Sequence, residues 1–194
     1  MEFFKSQGLD KKILDSHSKG TLVLGICAGF QILGNTLVDP HGMESSTKKV
    51  NGLGLLNMET EIQPEKITRQ TNPLTCDSPV FSGGLKVSGY EIHMGISQIK
   101  GDHPALFSDH QKNAKPELGV SNCSGTVLGA YVHGFLDSNN IREAFLNHVC
   151  KHRKLPTNYI SFDYEKFRND QMDRLCNLVS SNVNMEKIYE IVGC

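Results

Sequence analysis

The apolar run Thr21-Leu-Val-Leu-Gly-Ile26, together with the turn that follows it, is the feature that most constrains the fold of this chain. A short, continuous β-rich run predicts a strand that is buried on both faces of a parallel sheet. Gly25-Ile-Cys-Ala-Gly29 predicts a tight turn, and Phe30, Ile32 and Leu33 then predict a helix. The sequence therefore predicts a strand, a tight turn and a helix in direct succession.

Strand-like and helical stretches are interspersed along the rest of the chain, which is typical of an α/β fold. The predicted strands lie at 53–62, 85–99, 117–121 and 126–132, and the last two form a hairpin. The predicted helices lie at Asp10–Gly20 with Asp10 as N-cap, after Asp137, and at 167–182, with a final turn at 185–191. Residues 35–51 predict a long loop. We therefore expect an open, mostly parallel but mixed sheet flanked by helices.

Length and charge limit the number of domains and the kinds of partner. The chain has 194 residues, and domains contain roughly 100–200 residues, so 1–194 predicts one domain with a mainly helical part at 139–194. Twenty Lys and Arg balance 21 Asp and Glu, so no nucleic-acid partner is expected. The longest apolar stretch, Leu22–Phe30, is far shorter than the roughly 20 residues of a membrane span, and no signal peptide is evident. We therefore expect a cytoplasmic protein without a membrane partner.

Cys27 lies where the predicted strand ends and the predicted helix begins. A helix N-terminus offers unpaired N–H groups and positive potential, which lower a thiol pKa and stabilise an oxyanion. Gly25, Ala28 and Gly29 are small and leave room for a substrate near the backbone. These features predict a nucleophilic thiol. The alternative is that Cys27 is a small buried apolar residue and that the glycines only allow close packing of helix on strand.

A nucleophilic thiol needs a base, and His133 is the first candidate among eight histidines. It follows the predicted strand 126–132, so it lies at the carboxyl end of a strand, where α/β enzymes place their ligands. His93, in a glycine-bounded strand-like segment, is the rival base or a substrate contact. The alternative for His133 is a structural, hydrogen-bonded role. We predict no metal site, and the chain lacks a phosphate-binding P-loop, so ATP has no evident site in it.

The segment Gly25-x-Cys27-x-Gly29-x-Gln31 resembles the nucleophile motif of class I glutamine amidotransferase domains. Further segments resemble, in order, the amidotransferase domain of the cobyric acid synthase family and cover nearly the whole chain. They are Gly25–Gly34, Asp39-Pro-x-Gly-x-Glu44, Gly52–Leu56 with Thr60, Gly89-Tyr-Glu-Ile-His-Met-Gly95, Gly129-Ala-Tyr-Val-His-Gly134 and Asp173-Arg-Leu175. The Tyr-Glu-Ile-His and Tyr-Val-His-Gly segments make the resemblance fairly specific.

The resemblance implies that Cys27 attacks the side-chain amide of glutamine and that His133 acts as base and then protonates the departing ammonia. It also implies that the Ala28 N–H contributes to the oxyanion hole and that Gln31 lines the glutamine pocket beside Gly29. Substrate or interface contacts are expected from Tyr90, Glu91 and His93. Gly134 and Phe135 follow His133, where many class I members have Pro-Glu, so no third member of a triad is assigned.

The resemblance further implies a partner. The ammonia would serve a synthetase domain, in cis or in trans, that uses ATP and Mg²⁺ to amidate carboxylates of adenosylcobyrinic acid a,c-diamide in cobalamin biosynthesis. Neither that ligase domain nor the first strand of the amidotransferase domain is expected in this chain. Since one lost oxyanion donor costs about 10²–10³-fold in rate, we expect weak or no glutaminase activity from the chain alone.

Two other functions are compatible with the sequence. The first is a non-catalytic remnant or interaction module. The second is the glutaminase subunit of an enzyme that amidates a cell-wall precursor with a separate ligase partner.

Overall fold

The computed structural model describes residues 2–157 and 162–193, and the chain divides into two units, Met1–Tyr159 and Ile160–Cys194. The helices of the first unit are α1 (Glu2–Ser6), α2 (Leu9–Ser18), α3 (Ala28–Leu33) and α4 (Asn139–Arg153). Its strands are β1 (Val23–Ile26), β2 (Thr36–Val38), β3 (Lys49–Asn51), β4 (Met58–Thr71), β5 (Leu74–Thr75), β6 (Gly89–Ile99), β7 (Phe107–Ser108), β8 (Gly119–Ser121), β9 (Val127–Ala130) and β10 (Val132–His133).

The strands of the first unit form three sheets. One has the order β1-β9-β8, the second has the order β10-β6-β4-β2-β3, and the third pairs β5 with β7. Among the described residues, only β1 with β9 and β2 with β4 run parallel, and the other pairs run antiparallel. The mixed sheet and flanking helices are as predicted. Parallel pairing is less extensive than predicted, because the two longest strands, β4 and β6, pair antiparallel with each other.

The stretch 35–51 is not one long loop, and that prediction is wrong. Its two ends form β2 and β3, which pair with each other and leave 39–48 as the connecting loop. Strands of three residues are too short to show an alternating pattern, so the sequence could not predict β2 and β3 or their pairing. The strand predicted at 53–62 is also different, because β4 starts at Met58 and continues to Thr71.

Helix α2 begins earlier than predicted, with its N-cap two residues before the predicted one. Gly8, not Asp10, is the N-cap of α2, with φ at +66°, and Asp10 lies within the first turn. A left-handed backbone favours glycine at such a position. The predicted hairpin is confirmed, because β8 and β9 pair antiparallel on either side of Asn122–Gly125.

The strand–turn–helix unit is confirmed, and two glycines allow its close packing. A Cβ added to Gly25 would lie 2.5 Å from the Gly29 carbonyl oxygen of α3. A Cβ on Gly129, in β9, would collide with the ring of Phe30. Phe30 is fully buried and meets the Tyr131 ring edge to face, with ring centroids 5.1 Å apart. The short helix α3 therefore lies directly against β1 and β9.

The second unit, as far as it is described, consists of α5 (Tyr164–Asn182) and α6 (Met185–Val192). The Asp163 side chain accepts a hydrogen bond from the Lys166 N–H, and Asn184 accepts one from the Lys187 N–H, so each helix begins at a capping residue. The sequence predicted a mainly helical stretch at 139–194; within it, α4 belongs to the first unit, and residues 158–161 and 194 lie outside the described residues.

Candidate active site

Cys27 occupies the turn between β1 and α3 with a backbone that few non-glycine residues adopt. Its φ is +53° and its ψ is −115°. The Cys27 N–H donates to the Ala130 carbonyl at 2.9 Å, and the Cys27 carbonyl accepts from the Gln31 N–H at 3.1 Å. These two bonds hold the strained residue between β9 and the first turn of α3. Such a turn presents a side chain at the end of a sheet, where it is accessible to a substrate.

The Cys27 thiol is half-buried and donates a hydrogen bond to the Ile92 carbonyl, with 3.4 Å between sulfur and oxygen. Burial raises the pKa of the Cys27 thiol, the Ala28 N–H lowers it, the Glu44 charge raises it and the Lys66 charge lowers it. The sequence predicted a lowered pKa from the helix N-terminus, and that prediction is wrong for this state of the site. Loss of water around the sulfur outweighs the single N–H of a six-residue helix.

His133 lies at the end of β10, in direct register with Tyr90 of β6. Its ring stacks on the Tyr90 ring, with centroids 5.0 Å apart and planes 8° apart. Its Nε2 is buried, and no hydrogen-bond partner for it occurs in the described part of the chain. Cys27 and His133 both contact β6: the Cys27 thiol donates to the Ile92 carbonyl, and the His133 ring stacks on Tyr90. This geometry agrees with the prediction that the two residues share one edge.

His93 has different surroundings from His133. It is 8% exposed, and its Nδ1 lies 2.8 Å from the Gly95 carbonyl oxygen. Its Nε2 lies 3.5 Å from a Glu91 carboxylate oxygen, and its ring stacks on Tyr131 with centroids 3.8 Å apart. Nδ1 therefore has a hydrogen-bond partner, whereas the buried Nε2 lies near Glu91 but has no hydrogen-bond partner among the described residues.

Glu91 is almost fully buried beneath the site. Its carboxylate receives two hydrogen bonds from the Arg69 guanidinium, at 2.7 Å from Nε and 3.1 Å from the terminal nitrogen. Hydrogen bonding with Glu91 raises the pKa of Arg69, whose side chain is otherwise largely exposed. Arg69 therefore compensates the buried negative charge of Glu91 from the solvent side. No feature of the sequence predicted this role for Arg69.

Gln31, Ala28 and Gly29 lie on α3 in three different environments. Gln31 is 4% exposed, and a Cβ on Gly95 would collide with its side-chain amide. Ala28 is exposed, and its N–H lies beside the Cys27 sulfur. A Cβ on Gly29 would meet nothing within 4 Å, so this glycine leaves open space. Ala28 and Gln31 line a cavity of about 300 Å³ that also includes Asp39, Glu44 and Ile62.

The loop 39–48 forms one wall of this cavity, and Asp39 fixes its shape. The buried Asp39 carboxylate accepts hydrogen bonds from the backbone N–H groups of Met43, Glu44 and Ser45 at 2.8–2.9 Å. These bonds lower the pKa of Asp39. The Glu44 side chain remains exposed and lines the cavity, close enough for its charge to act on Cys27.

Sequence reasoning also missed Lys66 and Tyr131. Lys66 lies in an irregular part of β4, where the pairing with β6 shifts register between Ile62 and Ile67. Burial raises the pKa of Tyr131, while hydrogen bonds with Ser97 and Gln31 oppose that shift. Lys66 reaches the site through tertiary pairing and no local pattern marked it, whereas Tyr131 stands in the Gly129–Gly134 motif, where it was given no role.

Other polar groups in the described part of the chain give no second centre of this kind. His148 and His152 each donate a ring N–H to a carbonyl, of Gly125 and Gly20 respectively. Among residues 2–157 and 162–193, no group of three His, Cys, Asp or Glu side chains is placed to hold a metal ion. None of the helices described there is both long and apolar enough to cross a membrane.

A thiol on a strand-to-helix turn and a histidine paired with the same strand, β6, are residue types that nucleophilic enzymes use. Residues 1–141 match the family described as CobB/CobQ-like glutamine amidotransferase domain. The chain belongs to this family, and it is an amidotransferase domain. The family resemblance of the sequence motifs is therefore confirmed.

The curated relatives that the chain matches are longer proteins. It is 40% identical to a cobyric acid synthase of Dehalococcoides mccartyi over 199 residues, with all of this chain and 39% of the relative covered. A cobyric acid synthase of Caldanaerobacter subterraneus subsp. tengcongensis is 39% identical, with 99% of this chain and 39% of the relative covered. The chain therefore spans about two-fifths of the length of these relatives.

A solved structure supports the fold. The structure of PurLQS from Thermotoga maritima matches with a TM-score of 0.51 and 21% identity, covering 73% of this chain and 68% of that chain. At this identity the likeness concerns the fold alone. The predicted α/β fold of the class I amidotransferase type is confirmed.

Proposed function

We propose that this chain releases ammonia from the side-chain amide of glutamine, with Cys27 as nucleophile and His133 as base. The observation that carries the proposal is the position of the two side chains on β6. The Cys27 thiol is hydrogen-bonded to the Ile92 carbonyl, and His133 pairs with Tyr90, two residues before Ile92. The buried Nε2 of His133 has no hydrogen-bond partner among the described residues. A buried nitrogen without a partner is free to accept the thiol proton once the sulfur turns away from Ile92.

The reaction would proceed in two stages. His133 Nε2 takes the thiol proton, and the Cys27 sulfur attacks the amide carbon, so that the carbonyl electron pair moves onto oxygen. The Ala28 N–H would stabilise that oxyanion. When the C–N bond breaks, His133 returns its proton to the departing nitrogen and ammonia leaves. Water, deprotonated by His133, then cleaves the γ-glutamyl thioester to glutamate and restores the thiol.

The cavity lined by Ala28, the residue after Cys27, is compatible with an amino acid as substrate. Its size of about 300 Å³ is at the lower end of the range for small-molecule sites. Glu44 offers an exposed carboxylate there, whereas the Asp39 carboxylate is occupied by backbone N–H groups. We assign Glu44 to the α-ammonium group of glutamine, because an uncommitted carboxylate favours a cation. Gln31 lines the inner wall of the same cavity.

The use of the ammonia follows from the relatives. They are named cobyric acid synthases, and about three-fifths of their length has no counterpart in this chain. We propose that the ammonia goes to a synthetase domain, in cis or in trans, that amidates carboxylates of adenosylcobyrinic acid a,c-diamide. ATP and Mg²⁺ would be bound in that domain. This corrinoid function accounts for the relatives better than the amidation of a cell-wall precursor.

Covalent labelling tests the glutaminase step without the synthetase domain. The full chain is incubated with an electrophilic glutamine analogue, and the modified residue is identified by mass spectrometry. We expect one label, on Cys27, that glutamine suppresses by competition. Cys27→Ala removes the site, and Cys76→Ala is the matched control, because Cys76 is also half-buried and burial raises its pKa as well. Absence of label at Cys27 would favour the non-catalytic interaction module instead.

A further inference from the structure

The imidazole of His133 has no carboxylate to orient it among the described residues. Its Nε2 is buried without a hydrogen-bond partner, and no ion pair of the described residues includes His133. In Ser-His-Asp triads a buried carboxylate holds the imidazole in the required orientation. A general base without such a carboxylate needs another contact that prevents rotation of its ring.

We propose that Tyr90 is that contact: a positioning residue that holds the His133 imidazole by ring stacking. The proposal rests on the function proposed for Cys27 and His133. The two rings are nearly parallel, at 8°, and their centroids lie 5.0 Å apart, which is an offset-stacked arrangement. Stacking confines the imidazole plane and leaves both ring nitrogens available at its edge.

The backbone around the two rings maintains this stacking. Tyr90 and His133 are direct partners in the antiparallel pairing of β6 with β10, so both side chains leave the same face of the sheet. A Cβ on Gly89 would collide with the His133 carbonyl oxygen and would lie 2.7 Å from Val132 Cγ1. The absence of a side chain at Gly89 therefore lets β10 approach β6 closely enough for the rings to stack.

The exposure of Tyr90 points to a role for its ring in the site rather than in the core. Tyr90 is 45% exposed, whereas Glu91 and His93, its neighbours on β6, are buried. Among the described residues no hydrogen bond of the Tyr90 hydroxyl occurs, and the ring face carries the contact with His133. Because the stacking uses the ring and not the hydroxyl, phenylalanine should replace tyrosine at this position, and an aliphatic side chain should not.

Kinetics of covalent labelling separate positioning from binding. The full chain reacts with the electrophilic glutamine analogue, and the maximal inactivation rate and the half-saturating concentration are measured for wild type, Tyr90→Phe and Tyr90→Leu. We expect Tyr90→Leu to lower the maximal rate about 10-fold to 100-fold while the half-saturating concentration changes by less than about threefold, because a displaced base slows chemistry more than binding. Tyr90→Phe should restore most of the maximal rate.

Ile96→Ala is the matched control, because Ile96 is 49% exposed and lies on the same face of β6 as Tyr90. It should leave both constants unchanged. A second measurement follows the His133 ring protons by NMR, where removal of the Tyr90 ring current should shift them in Tyr90→Leu and not in Ile96→Ala.

Each result has one meaning. Labelling of Cys27 at equal maximal rates in wild type and Tyr90→Leu overturns the positioning role and leaves the glutaminase function standing. Equal loss in Tyr90→Phe and Tyr90→Leu also overturns it, because the ring would then not be the active element. If wild type is not labelled at Cys27, the glutaminase function itself fails. An unshifted His133 signal in Tyr90→Leu contradicts the stacking independently of any reaction.

Discussion

The two faces of β6 differ in how deeply their side chains are buried. One face presents Glu91, His93, Gly95 and Ser97, which are all buried; His93 stacks on Tyr131, and Gly95 lies against Gln31 of α3. The other face presents Tyr90 and Ile96, both largely exposed, with Ile92 and Met94 half-buried between them. His133 stacks against this second face. Alternation along a strand has thus separated one segment into an inner and an outer set.

The polar groups of the two faces are paired to different degrees. On the inner face, Glu91 is bound by Arg69, His93 contacts the Gly95 carbonyl, and Ser97 lies between the hydroxyls of Thr60 and Tyr131. Two imidazole nitrogens have no hydrogen-bond partner among the described residues: Nε2 of His93 on the inner face and Nε2 of His133 on the outer face. Their surroundings differ, because the His93 ring lies between Glu91 and the buried Tyr131, whereas the His133 ring stacks on the exposed Tyr90. We therefore expect the inner face to contribute stability and the outer face to contribute reactivity.

Replacing each histidine in turn is the strongest way to break this comparison. His133→Asn should lower the rate at which an electrophilic glutamine analogue labels Cys27 about 10²-fold to 10⁴-fold, the usual contribution of a general base. The same change at His93 should leave the labelling rate of folded protein within about threefold of wild type, because the His93 ring is enclosed by Tyr131 and Glu91 in the interior. The rates are measured by mass spectrometry at fixed pH. A larger loss at His93 than at His133 would exchange the roles of the two faces.

Removing the buried charge tests the inner face alone. Glu91→Gln should lower the free energy of unfolding by about 2–3 kcal/mol, since two charge-assisted hydrogen bonds to Arg69 are weakened and Arg69 is largely exposed. Urea denaturation measures the change. Glu59→Gln is the control, because the Glu59–Lys100 pair joins the same two strands at the surface, and its loss should be too small to detect. Equal effects at the two sites would remove the distinction between buried and exposed pairs.

Adding one methyl group tests how closely α3 packs on the inner face. Gly95→Ala should lower the free energy of unfolding by about 1–2 kcal/mol, because the new Cβ would meet the Gln31 amide and lie 2.8 Å from Thr60 Cγ2. Gly29→Ala, in a helix and with nothing within 4 Å of the added Cβ, should not destabilise the protein. Thermal unfolding of the two variants side by side checks this. A stable Gly95→Ala variant would show that the inner face has room to adjust.

The smallest expected effect concerns the pH at which the Cys27 thiol, which contacts the backbone of β6, loses its proton. Because burial raises the pKa of this thiol, the rate of its alkylation by a neutral reagent should begin to rise at a higher pH than the rate for a free thiol does. Glu44→Gln should move the alkylation curve to lower pH and Lys66→Gln to higher pH, since the two charges act in opposite directions. Shifts in the reverse directions would contradict the arrangement of charges around the site.

The same pKa shift has a consequence for stability with a definite sign. A thiol whose pKa is higher in the folded than in the unfolded state stabilises the fold below the unfolded pKa, and this contribution is lost as pH rises through the folded pKa. Wild type should therefore lose stability relative to Cys27→Ala on the alkaline side of the usual thiol pKa. Chemical denaturation at a series of pH values measures the difference, and a constant difference would contradict it.

Local features of the chain were accessible from the sequence. The strand at 23–26, the turn at Cys27, the helix α3 and the hairpin of β8 and β9 each depend on neighbours within a few residues, and each was predicted. The family resemblance came from short ordered motifs and was confirmed by the match over residues 1–141. The roles of individual site residues remain predictions.

Features that depend on residues distant in sequence were not accessible. The pairing of β2 with β3, the irregular β4 that brings Lys66 towards Cys27, and the Arg69–Glu91 ion pair are decided by which strands become neighbours. The sign of the Cys27 pKa shift was also missed, because burial depends on β6 lying across the turn.

The sequence by itself determined the chemistry that the chain can offer: a thiol on a tight strand-to-helix turn, two histidines in glycine-bounded strands, and the family to which these motifs belong. Only the tertiary structure decided the surroundings of the two histidines. It placed His93 on the inner face of the sheet between Glu91 and Tyr131, and it placed His133 beside the exposed Tyr90, while Nε2 of each has no hydrogen-bond partner among the described residues. The reason is physical: residue type sets what a side chain can do, whereas burial and neighbours set which protonation state and which contacts are available to it.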